Sequence, residues 1–146
     1  LAPQACSAVV AAPLGGRAAA RFGVFPAMLT GLVLGAVGFT GTAFIGPGTA
    51  TLIVSGVTFA AGFGMAFAMP AATAAAVSAV PDELAGTAGG VVNAARQTGS
   101  VAGVAVLGGV VAADASPSGF RVAMLVAAGI FIAAAVLVAA AARDPA

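Results

Sequence analysis

Residues 24–44, VFPAMLTGLVLGAVGFTGTAF, carry no charge, and no charged residue occurs anywhere between Arg21 and Asp82. That run decides the fold class, because a soluble protein could not clothe its surface over such a length without large exposed apolar patches. Across all 146 residues only 6% are charged and 62% are hydrophobic, whereas an ordinary soluble domain has about 25% charged residues. The solvent that suits this chain is a bilayer.

An α-helix needs about 20 apolar residues to cross ~30 Å of hydrocarbon, so spans can be counted once turn residues are located. Breaks at Gly46-Pro47-Gly48-Thr49, Pro81-Asp82-Glu83, residues 114–119 and Arg143-Asp144-Pro145 delimit four complete spans, at 24–44, 52–80, 86–112 and 122–142. A fifth, truncated segment at 1–14 ends at Gly15-Gly16-Arg17 and is too short to span alone. Strands of a membrane barrel would alternate polar and apolar residues, and these runs are continuous. The expected fold class is therefore all-α, a polytopic transmembrane helical bundle. Leu1 is not an initiator methionine, and no positively charged leader precedes the first apolar run. The chain reads as a fragment whose missing N-terminal part is its first partner, with membrane lipid the second.

Composition also excludes functions. With net charge +1 and no lysine or histidine, the chain has no basic footprint for nucleic acid. Cys6 is the sole cysteine, so no internal disulfide or Cys-clustered metal site forms, and it reads as a small apolar side chain. No cofactor is implied. An intramembrane enzyme is disfavoured as well, since a nucleophile would lack a base and every acid lies in a loop or tail. Orientation follows from arginine counts: with Arg17 and Arg21 cytoplasmic, Arg143 joins them and only Arg121 faces outward. The expected location is a multi-pass cell membrane protein with a cytoplasmic C-terminus.

On a helical wheel of the third span, Gly86, Gly89, Gly90, Asn93, Arg96, Gln97, Ser100 and Gly103 share about half the circumference. This small, polar face should turn into protein or a water-filled cavity. Arg96 lies ~15 Å of helical rise beyond Gly86, near the middle of the hydrocarbon, where arginine is disfavoured by about 2.5 to 3.5 kcal/mol. No acid of this chain reaches that depth, so its partner is expected upstream or among carbonyls of a neighbouring helix. Two readings stay open: interhelical glue, or a border of a transport pathway. Arginine stays protonated and cannot itself carry the proton.

The second span offers Ser55, Thr58, Gly62, Met65, Met69 and Thr73 on one face, where flexible, polarizable methionine suits ligands of varied shape. Phe59, Phe63 and Phe67 make an adjoining stripe that reads first as ordinary packing against helix or lipid. Pro70 removes one backbone hydrogen bond and is a potential hinge. Glycine pairs four apart, Gly31/Gly35, Gly86/Gly90 and Gly99/Gly103, predict close helix approach.

Several segments resemble the fourteen-helix drug:proton antiporter branch of the major facilitator superfamily: Gly62-Phe63-Gly64-Met65 with Pro70, Val80-Pro81 with Gly86, and GGVVNAARQTG at 89–99 continuing to Gly103-Val104-Ala105-Val106-Leu107-Gly108. The chain would then run from the end of the tenth helix through the fourteenth. The stretch around Gly16, Arg21 and Gly23 looks like the family's cytoplasmic loop motif, with Ala20 where an aspartate belongs and Val24-Phe25 in place of basic residues; the gating ion pair of that loop does not carry over. The resemblance implies that the second and third complete spans lie near the central cavity and the first and fourth are peripheral. It also implies a midplane site between repeats, an architecture already known for this superfamily as a whole and brought to this chain by the resemblance alone. The function expected is part of a secondary transporter exporting hydrophobic or amphipathic small molecules, driven by protons. The competing expectation is a non-transporting membrane subunit whose helices only assemble with a partner.

Overall fold

A computed structural model describes residues 2–46 and 48–143. Five helices follow one another: α1 (Ala2–Phe22), α2 (Val24–Ala43), α3 (Thr51–Ser78), α4 (Ala85–Ala113) and α5 (Pro117–Ala141), with a single 3-10 turn at Asp82–Leu84 before α4. The fold is all-helical, as expected. α2, α3 and α4 begin and end within two residues of the ranges read from the sequence, whereas α5 begins at Pro117, inside the break expected at 114–119 and five residues before 122. Leu1, Pro47 and the tail from Asp144, including part of two predicted break motifs, lie outside the described residues.

The start needs a correction. Gly15-Gly16-Arg17 does not break the chain; α1 continues through it to Phe22. Those glycines are used for contact: a Cβ on Gly15 would overlap the Phe67 carbonyl, and one on Gly16 would reach Pro70 Cβ at 4.0 Å. The real break is one residue, Gly23, whose φ of 98° is a conformation that side-chain-bearing residues rarely adopt. Pro26 sits in the first turn of α2, where its lacking N–H costs nothing because no helical acceptor precedes it. The motif of Gly16, Arg21 and Gly23 is therefore the end of a helix and a sharp turn, with Arg21 in the last turn where a cation complements the helix dipole.

At the other end of the bundle, Ser116 caps α5 by accepting from the Ser118 N–H, with Pro117 in the first position. Asp114 accepts from the Ser116 N–H at 3.0 Å and from the Ser118 hydroxyl at 3.1 Å. These bonds, Ser116 first, hold its carboxyl below the usual carboxylate range.

Within the apolar helices, hydroxyls find local acceptors. Thr30, Thr40, Thr42 and Thr58 each donate to the carbonyl four residues earlier at 2.8 Å, which satisfies them without water. Packing rests on small residues. A Cβ on Gly31 would come within 2.7 Å of Ala68 N, one on Gly64 would overlap the Gly35 backbone, and one on Gly38 would overlap Ala61. α2 thus nests against α3, while Gly35 admits the Phe131 ring of α5. Among the described residues the buried apolar side chains are all alanines, including Ala27, Ala36, Ala61, Ala71, Ala123 and Ala127, whereas Leu52 is 84% exposed and Leu137 71% exposed. Small inside and large outside inverts the soluble pattern and suits lipid.

Of the described helices, α2, α3 and α5 are long and apolar enough to cross a membrane. α4 has the length, at 29 residues, but its polar stripe takes it out of that group. One further expectation changes. Gly86, Gly90, Gly99 and Gly103 meet nothing in this chain, so two of the three glycine pairs make no close approach here. α2 packs on α1, α3 and α5 through its glycine stripe, whereas α4 buries no residue and touches α3 and α5 lightly.

Candidate functional site: a polar-edged cavity between α3, α4 and α5

The polar stripe of α4 and the methionines of α3 meet. Between them, with walls from α5 and from Phe39 of α2, lies a cavity of about 830 Å³. Its polar edge is one turn of α4, where Arg96, Gln97 and Ser100 sit at helical spacing. Met65 and Met69 face this edge from α3, and Phe39, Phe131, Ile130 and Leu107 supply apolar wall.

Arg96 is held by neutral groups. Its guanidinium donates to Asn93 Oδ1 at 2.8 Å and to Met69 Sδ at 4.0 Å. The first bond spans three residues on one helix face; the second crosses from α4 to α3. Within this chain its partners are thus a side-chain amide and a thioether rather than a carbonyl of a neighbouring helix. Thioether sulfur is a weak acceptor, and the guanidinium has five N–H donors, so most of its bonding capacity is open to the cavity.

Asn93 does not line the cavity; it orients Arg96. The remaining predicted lining residues do not converge. Thr58 and Thr73 return their hydroxyls to α3 carbonyls of Val54 and Met69, and neither they nor Ser55 border the cavity. Phe59, Phe63 and Phe67 stack along α3 with centroids 5.9 and 5.7 Å apart, and Phe67 lies against α1. Gly16, Arg21 and Gly23 sit at the α1–α2 turn, away from the cavity; the Arg21 guanidinium lies 5.9 Å from the Phe22 ring.

Sequence reasoning missed Phe39 and Phe131. Their rings pack at 5.2 Å with a 52° tilt and both line the cavity. The signal available was Gly35, four residues before Phe39, which leaves room for an aromatic ring from a facing helix. A second groove of about 700 Å³ between α2 and α5 is lined by residues such as Leu32, Val33, Ile132 and Val136, with Thr40 its one polar side chain.

A bundle of apolar helices that buries small residues, exposes large ones and keeps an arginine beside a cavity is a polytopic membrane protein. Residues 3–146 match the Major Facilitator Superfamily, and the chain belongs to it. It is 34% identical over 111 residues to the multidrug resistance protein Stp of Mycobacterium tuberculosis, covering 76% of this chain and 20% of that protein. It is 35% identical over 108 residues to the tetracenomycin C resistance and export protein of Streptomyces glaucescens, covering 74% and 20%. The chain thus spans about one fifth of the length of these relatives. No solved structure matches.

Proposed function

We propose that the chain is part of a secondary active transporter of the fourteen-helix drug:proton antiporter branch, exporting hydrophobic or amphipathic small molecules at the expense of a proton gradient. The observation that carries this reading is the cavity itself, in which deformable Met65 and Met69 face a short polar edge of Arg96, Gln97 and Ser100. Flexible thioethers admit varied apolar shapes, and a few polar groups orient them. The names of the two relatives, a multidrug resistance protein and an antibiotic export protein, support the same class. The proton carrier is assigned to the rest of the transporter, because every acid of this chain lies outside its predicted spans. The cytoplasmic side is assigned to the end bearing Arg17, Arg21 and Arg143.

Reconstitution of the complete protein into proteoliposomes tests the reading. Efflux of amphipathic dyes that appears only with an imposed pH gradient is the expected result; no flux with any compound would overturn it. The second reading, a subunit that only assembles with a partner, draws on the open glycines of α4 but leaves the methionine wall without a use.

A further inference from the structure

We propose that the cavity, taken as the substrate site of the transporter inferred above, selects amphipathic organic anions: a flat apolar body bearing a carboxylate or phenolate that Arg96 holds. Three observations converge. Among the described residues that line the cavity, Arg96 is the one charged side chain, and no acid stands beside it. Its two partners are both neutral, and one is a thioether at 4.0 Å. The apolar lining includes an aromatic pair, the tilted rings of Phe39 and Phe131.

The chemistry follows from these. A guanidinium in an apolar surround is stabilised by an anion that accepts two of its N–H groups, and a planar carboxylate matches that fork. Gln97 and Ser100 stand within one turn and add neutral donors. An organic cation meets the same positive field with no compensating acid in the lining, so it is disfavoured in this cavity. The Phe39 and Phe131 pair offers ring faces and edges to a flat hydrophobic body. Charge selection and shape tolerance thus reside in different side chains of one lining.

The test uses two probes of one shape and opposite charge, 9-anthracenecarboxylate and 9-(aminomethyl)anthracene, titrated by fluorescence against the complete protein in lipid nanodiscs with empty nanodiscs subtracted. The carboxylate is expected to bind at least about tenfold more tightly than the ammonium. Arg96→Gln is expected to weaken the carboxylate by about tenfold and leave the ammonium within about threefold, with Arg96→Lys falling between because it keeps the charge without the fork. Tighter binding of the ammonium, or carboxylate affinity unchanged in Arg96→Gln, overturns the proposal. Equal loss of both probes in a folded Arg96→Gln protein overturns it as well, since that marks a packing role. The wild-type comparison stands even where Arg96→Gln fails to fold. Leu107→Trp, which fills the apolar wall, should then weaken the carboxylate, and unchanged affinity would place the probe elsewhere and sink the site. Flux is scored separately. Gradient-driven export of other compounds without carboxylate binding overturns anion selection and keeps the export reading, whereas carboxylate binding with no flux of any compound keeps the anion site and overturns export.

Discussion

Arg96 sits eleven residues after the start of α4 at Ala85, so neither end of the helix is within easy reach of its side chain. Its bond to Asn93 and its contact with Met69 keep it beside the cavity. Arg96→Ala in the complete transporter is expected to lower transport by about tenfold or more, equivalent to ~1.4 kcal/mol, with membrane abundance near normal. Immunoblotting alongside efflux checks this, and normal flux at normal abundance would reduce Arg96 to helix glue. Asp114 makes a second prediction. Its hydrogen bonds lower its folded-state pKa below the ordinary aspartate value of 3.8, so the stability they add is present above the unfolded pKa and is lost as pH falls through the folded one. Asp114→Asn should melt below the wild type at neutral pH, and the gap should narrow once the pH drops under about 3.8. A gap independent of pH would show that the charge is not what matters.

At the scale of elements, the contact between α2 and α3 is made by glycine against backbone. Gly38 is buried and a Cβ there would overlap Ala61, so Gly38→Val must push the helices apart and is expected to cost about 1 to 3 kcal/mol. Gly56, on α3, meets nothing, and Gly56→Ala should leave stability unchanged or raise it by up to about 1 kcal/mol, since alanine is the better helix former. Thermal unfolding in detergent compares the two. Equal effects would mean that α2 and α3 do not approach at Gly38. The same element scale shows why helix limits were legible in advance and the first break was not. Pro81, the 46–49 turn and Ser116-Pro117 are turn or cap signals wherever they stand. Gly15 and Gly16 carry the same signal but serve a helix contact, and only the presence of Phe67 and Pro70 opposite them reveals it.

For the whole molecule, the antiparallel order puts Gly23 and Asp82–Leu84 at one end of the bundle and the 46–49 and 114–116 turns at the other. With the arginine-rich end cytoplasmic, a cysteine at Thr49 should react with a membrane-impermeant maleimide on intact cells, and one at Glu83 only after permeabilisation, in a background lacking Cys6. The reverse pattern would invert the assignment.

The sequence by itself determined that the chain is an all-helical membrane bundle with one polar helix face, because hydrocarbon forbids unpaired backbone and tolerates charge only where something answers it. Length, uninterrupted apolar runs and local turn chemistry carry that information along the chain. Which helices touch was a matter for the tertiary structure. Met69 and Arg96 are 27 residues apart in sequence and 4.0 Å apart in space, and Phe39 and Phe131 close one cavity from separate helices. Periodicity marks a face and does not name its partner. That choice is made by glycines and alanines whose fit depends on the shape of the surface opposite.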